Sequence, residues 1–125
     1  MPVICESDES VARRLAAGFR EHGRAVPNLH ATADALAALP DEMVVVIGPS
    51  IDLSGALAFA AARRADRPEV GIVLVRRQLD VSVLSEAMRA GIREVIPDRD
   101  FPALMDACRR CWEVSRGMPA GSRVP

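Results

Sequence analysis

Hydrophobic residues along this chain follow two rhythms, and the switch between them recurs five times. "PVICE" (2–6) reads as a short strand, and "SDES" follows as a helix start with Ser7 or Asp8 as N-cap and acids in the first turn. Val11, Leu15 and Phe19 then share one helical face, and the helix is expected to stop near Gly23. "RAVPNLH" (24–30) is a weaker strand whose Pro27 marks it as an edge. Thr32 or Asp34 should begin a short alanine-rich helix ending at Pro40. "MVVVIG" (43–48) and "VGIVLV" (70–75) are apolar on both faces, as parallel strands covered on both sides are. Between them Leu53, Leu57 and Ala61 give a helix its buried stripe, closed off by Pro68. "DVSVLSEAMRAG" (80–91) has Asp80 as N-cap, Val81, Leu84 and Met88 on one face and Gly91 as C-cap. "REVIP" (93–97) is the last strand. Asp100 caps a helix with Leu104, Cys108, Cys111 and Ser115 on one face and Phe101, Met105 and Trp112 on a neighbouring one.

Strands alternating with helices over short connections imply right-handed βαβ units and a parallel sheet. Five repeats in 125 residues fit a flavodoxin-like, doubly wound α/β domain with strand order 2-1-3-4-5. That domain takes up residues 1–115. From about Arg116 the chain turns to "GMPAGSRVP", which has no periodicity and reads as a linker (116–125) toward a further domain.

Composition narrows the chemistry. Aromatic residues are 3% of the chain, so the core must be built from Ala, Val, Leu and Ile. A net charge of -1 gives no electrostatic reason to expect nucleic acid or a membrane surface as partner, and no apolar run is long enough for a membrane span. With no signal-peptide pattern at the N-terminus, the expected location is cytoplasmic. All sixteen Lys/Arg side chains are arginine, which excludes a Walker A loop, a Schiff-base lysine and any mechanism needing a lysine ammonium. Cys5, Cys108 and Cys111 are expected to be reduced thiols.

The alternation resembles the receiver domain of bacterial response regulators over about residues 2 to 115, most specifically in "EAMRAGIREVIPDRD". The resemblance implies a CheY-like fold and a set of functional positions, and each departs from the family's pattern. Of the two acids after the first strand that would hold magnesium, Glu6 stands at the first place and Ser7 at the second. Gly48 stands where the phosphoacceptor aspartate should be, Val75 where a hydroxyl residue should end the fourth strand, and Asp98 where a lysine should follow the fifth. "VVVIGPSIDLSGAL", "GIVLVRRQLDVSVLSEAMRAGIREVI" and "GSRVP" are also similar to the N-terminal domain of actinobacterial pilus-assembly proteins of the CpaE/TadZ family. In that family a phosphorylation-deficient receiver-like domain precedes a MinD/ParA-like ATPase and serves Tad/Flp pili, often at a cell pole. The resemblance implies a non-catalytic interaction and localisation domain without cofactor or metal. It would self-associate as a homodimer, dock to pilus or secretion machinery, and precede an ATPase starting past Pro125. The alternative is a stand-alone atypical receiver that signals without phosphorylation or binds a small ligand.

Other candidates have plainer readings. Glu6, Asp8 and Glu9 could hold magnesium, but first-turn acids complementing a helix dipole are favoured. Asp52 lies four residues past Gly48 and reads as an N-cap or a solvated loop residue rather than a phosphate acceptor, and Gly48-Pro49-Ser50 as a turn leaving the sheet rather than a phosphate cradle. Cys108-Arg109-Arg110-Cys111 matches C-x-x-C, but sequence places neither His22 nor His30 to complete a zinc site, and packing thiols are favoured. Trp112 reads as core edge, with an interface role if it faces outward. The arginines do not form one patch, although Arg13/Arg14 and Arg109/Arg110 could approach one another. Receivers typically use the fourth helix, fifth strand and fifth helix for dimers and partners, so the resemblance assigns Val83, Glu86, Arg89, Arg93, Glu94, Met105, Arg109 and Trp112 to one interaction face.

Overall fold

Val44–Ile47, strand β3, is buried along its whole length, and the domain is assembled outward from it. The computed structural model describes residues 2–19 and 23–117. In chain order the elements are β1 Val3–Cys5, α1 Glu9–Ala17, β2 Arg24–Val26, α2 Leu29–Ala38, β3, α3 Leu53–Asp66, β4 Gly71–Arg76, α4 Val81–Ala90, β5 Glu94–Pro97 and α5 Phe101–Arg116. The five strands form one sheet in the order β2-β1-β3-β4-β5, parallel throughout. This is the flavodoxin-like, CheY-like architecture expected from the alternation.

Side chains alternate across each strand, so the sheet separates two cores. Val45, Ile47, Ile72 and Leu74 pack with Leu36 of α2, Phe59 of α3 and Ala87 of α4. Val44, Val46, Val73 and Val75 pack with Leu15 of α1 and Leu104, Ala107, Cys108 and Cys111 of α5. Both faces are covered, which is why the central strands are apolar without interruption.

Each helix begins on a side-chain cap. Asp8, Asn28, Asp52, Asp80 and Asp100 accept from the amides of Val11, Ala31, Gly55, Val83 and Ala103. The starts at Asp80 and Asp100 match the sequence reading without ambiguity, but the second helix does not. Neither Thr32 nor Asp34 caps α2: Asn28 does so directly after Pro27 ends β2, and the Thr32 hydroxyl instead donates to the Asn28 carbonyl at 2.8 Å. α1 ends at Ala17 with Gly18 as C-cap, earlier than the expected stop near Gly23. α3 buries Ala56, Phe59 and Ala60, with Leu53 and Leu57 half-buried and Ala61 exposed. The small alanines let Phe59 reach the sheet, which turns the helix relative to its leucine stripe. α4 ends at Gly91, whose φ of 94° is the left-handed conformation that favours glycine. Of α4 only Ala87 is fully buried; Val81, Leu84 and Met88 face away from the core.

Two arginines fasten the N-terminal edge of the sheet. Arg67 donates to Glu69 at 2.6 Å and to the carbonyls of Leu36, Pro40 and Glu42 at 2.9, 3.1 and 3.1 Å, tying the end of α3 to the end of α2. Arg93 donates to Ser115 Oγ at 2.9 Å and to the carbonyls of Cys111 and Pro68 at 3.2 and 3.4 Å. Among the described residues no helix is long and apolar enough to cross a membrane. Arg67→Ala is predicted to destabilise the fold by about 3 kcal/mol, because it leaves the buried Glu69 carboxylate without its cation and three carbonyls without a donor. A urea midpoint followed by circular dichroism measures this, and a loss below about 1 kcal/mol would refute the staple role.

Candidate functional site

Four positions meet at the C-terminal edge of the sheet. Register pairs Cys5 with Ile47 and Ile47 with Leu74, so Glu6, Gly48 and Val75 follow as neighbours on β1, β3 and β4. The Gly48 amide donates to the Cys5 carbonyl at 2.8 Å, and the Asp98 amide to the Arg76 carbonyl at 3.0 Å. This is the edge at which the resemblance to receivers places their reactive centre.

Glu6 is buried there, 2% exposed. Its Oε2 accepts the Asp8 amide at 2.7 Å and its Oε1 the Ser50 amide at 3.0 Å. A Cβ built on Gly48 would overlap Glu6 Oε1 and stand 3.0 Å from Glu6 Cβ and Cδ. The carboxylate therefore fills the place that a side chain at position 48 would need. An ionised carboxylate only accepts hydrogen bonds, so this arrangement ties the β1–α1 connection to the β3–α3 connection and offers no nucleophile at position 48.

The surrounding positions are placed as follows. Val75 is buried and apolar. Asp98 puts a carboxylate where the resemblance leads one to look for a cation, with Arg99 at 3.9 Å. Ser7 is exposed, and Asp8 is the α1 cap. Asp52 caps α3, and donation from the Ser54 hydroxyl and the Gly55 amide holds its carboxyl below the usual range. No group of three potential metal ligands occurs among the described residues.

Two residues that sequence reasoning did not single out for this site also act here. Arg76 donates to the Ile51 carbonyl at 2.9 Å, and Arg77 reaches Ser50 Oγ at 3.4 Å. They brace the β3–α3 connection from the end of β4 and, with Pro49, Gln78, Asp80 and Val83, line a cleft of about 350 Å³. Contacts spanning 25 and 27 residues leave no local pattern that could have announced them.

The thiols are interior groups. Cys108 and Cys111 lie under α5, and burial pushes both up, Cys108 to about 12 with the neighbouring Cys111 and Glu94 adding to it. Burial also raises Cys5, opposed by the neighbouring Thr32 side chain. His30 faces solvent beside Asp34 on α2, and His22 lies outside the described residues.

The residues assigned to one interaction face divide between two. Glu86 and Arg89 are exposed on α4 and Val83 is half-buried there, while Glu94 of β5 forms a two-pronged ion pair with Arg110 at 2.8 and 2.5 Å. Arg93 is engaged inside the domain. Met105, Arg109 and Trp112 lie on the other flank of α5, where with Pro2, Phe19, Val44 and Cys108 they line a groove of about 420 Å³ beside α1. Trp112 is 41% exposed, so the core-edge reading gives way to a surface one, and the Arg116 guanidinium lies 4.8 Å from its ring centroid.

No protein-family model matches the chain, and no curated protein matches it. Solved structures do, several of them receiver domains. The beryllofluoride-activated NtrC4 receiver domain dimer aligns with TM-score 0.80 at 14% identity, covering 91% of this chain and 97% of that one. The signal receiver domain of an HD domain-containing protein from Pseudomonas fluorescens gives 0.78 at 16%, covering 94% and 97%. A pilus assembly-related protein from Burkholderia pseudomallei gives 0.75 at 22%, covering 90% and 89%. The chain thus has the fold of CheY-like response-regulator receivers, and at these identities the likeness is one of fold.

The overlap at Gly48 generates a paired test. Gly48→Asp is predicted to cost about 3 kcal/mol, since a second carboxylate would be forced against a buried one, and Glu6→Ala in the same chain should recover about 2 kcal/mol of that. Denaturant titration of the single and double variants measures the coupling, and additive losses would show that the two positions do not compete. The thiols generate a second test. With no lysine or tyrosine in the chain, cysteines are the side chains that titrate between pH 9 and 12. Above pH 9 the unfolded chain loses the Cys108 proton while the folded one keeps it up to about 12. Stability is therefore full below pH 9 and falls as pH rises, by about 1.4 kcal/mol per unit for this thiol. Cys108→Ala should flatten that slope; an unchanged slope would place the titration elsewhere.

Proposed function

We propose that this chain is a phosphorylation-independent interaction domain, a receiver fold that acts through its surfaces. The observation that supports this most is the Glu6 carboxylate, buried against Gly48 and held by the amides of Asp8 and Ser50. With no lysine in the chain, no lysine ammonium is present to pair with a phosphoryl group. On this reading the domain has no catalytic activity and binds partners constitutively.

The proposed role is the N-terminal module of a CpaE/TadZ-type pilus-assembly ATPase, positioning that ATPase at Tad/Flp or related secretion machinery, at a cell pole where the machinery is polar. The sequence resemblance and the pilus assembly-related protein among the structural neighbours support it. Self-association is assigned to α4, whose Val81 and Met88 are 82% and 63% exposed with Leu84 between them. Apolar residues at i, i+3 and i+7 make a continuous stripe that water covers at a cost. The Arg76/Arg77 cleft is the observation that favours the second reading, a small anionic ligand in a stand-alone domain. Thermal stabilisation by such a ligand, absent from an Arg77→Ala variant, separates the two.

Sedimentation velocity is the first test of the leading reading. The wild-type chain is expected to dimerise with or without acetyl phosphate, and Leu84→Glu/Met88→Glu to remain monomeric and folded. A monomer that dimerises only on addition of acetyl phosphate would overturn the proposal.

A further inference from the structure

The groove between α1 and α5 is separate from the α4 stripe, and its chemistry differs. Its floor is apolar, made by Pro2, Phe19, Val44, Met105 and Cys108, with Trp112 at one side. α1 and α5 approach closely here, for a Cβ on Gly18 would stand 2.7 Å from Met105 Cε. The outer rim is cationic. Arg109 and Arg116 follow Met105 and Trp112 by four residues on the same flank of α5, and exposed Arg14 precedes Gly18 by four on the facing flank of α1. Arg109 is bonded to Asp106 at 3.1 Å, but both side chains are more than half exposed, and such a pair exchanges readily for a better one. Arg116 lies over the Trp112 ring, which makes the aromatic edge itself part of the cationic rim.

We infer that this groove docks an acidic amphipathic helix of a partner protein. Both walls are helices lying on one face of the sheet, so the channel between them suits a helix set in a groove rather than an added strand. An apolar stripe would lie on Met105, Phe19 and Trp112, and flanking carboxylates would meet Arg14, Arg109 and Arg116. A second copy of this chain fits less well, because the same rim would bring arginines against arginines.

Trp112 is the chain's one tryptophan, and tyrosine is absent, so indole emission reports this groove directly. The probe is a synthetic peptide with leucines at i, i+3, i+4 and i+7 and glutamates elsewhere, set against its lysine counterpart. The glutamate peptide is expected to shift Trp112 emission to the blue with a saturable titration. Raising salt from 0.05 to 0.5 M, or Arg109→Glu, should weaken it about tenfold. Arg109 is exposed, so that variant is expected to keep its wild-type circular dichroism spectrum. Arg14→Glu provides a second variant from the opposite wall with the same expected loss. Equal binding of both peptides, or binding that leaves the emission unmoved, would overturn the inference. So would a blue shift that grows with protein concentration alone, which would make a second copy the occupant.

Discussion

A carboxylate held at 2% exposure persists only if its charge is answered, and at Glu6 the answer comes from backbone. The Asp8 amide belongs to the start of α1 and the Ser50 amide to the connection leading into α3. One side chain thus sets the spacing of two loops that otherwise share no covalent tie. The same carboxylate leaves room for no side chain at position 48, so the glycine there is a steric consequence as much as a missing aspartate. In a doubly wound sheet the crevice beyond the strand ends, where strand order reverses, is the usual ligand site. This chain fills that crevice with its own groups and braces it with Arg76.

Reliance on arginine runs through the rest of the domain. A lysine offers a point charge, whereas a guanidinium presents five donors in a plane and can satisfy several carbonyls at once. Arg67 and Arg93 use that capacity at the N-terminal edge, each gathering acceptors from segments far apart in sequence. Both guanidinium groups are engaged inside the fold rather than at its surface.

Away from that edge, the outer flanks of the domain present further exposed groups. α4 touches the core through Ala87 and directs its larger apolar residues outward. α5 buries Leu104, Ala107, Cys108, Cys111 and Ser115, and its two flanks then part company. One pairs Arg110 with Glu94 beside β5, and the other joins α1 in the groove around Trp112.

The order of elements, the sheet topology and most helix caps were legible along the chain, because period-two and period-3.6 patterning and capping chemistry are local and each acts within a few residues. The departures at Glu6, Gly48, Val75 and Asp98 were legible too, as single letters at positions marked by the resemblance. What the letters could not carry was contact across distance. Tertiary packing decided that Glu6 fills the space at Gly48, since that depends on two strands lying side by side with paired residues 42 positions apart. It also decided that Val81, Leu84 and Met88 face outward although their spacing is that of a buried stripe, because α4 rests on the core through Ala87. The division of one expected face into two has the same cause: which flank of α5 meets β5 and which meets α1 is set by how the helix is rotated on the sheet. Periodicity fixes which residues share a side of a helix, but only packing against neighbours fixes where that side points.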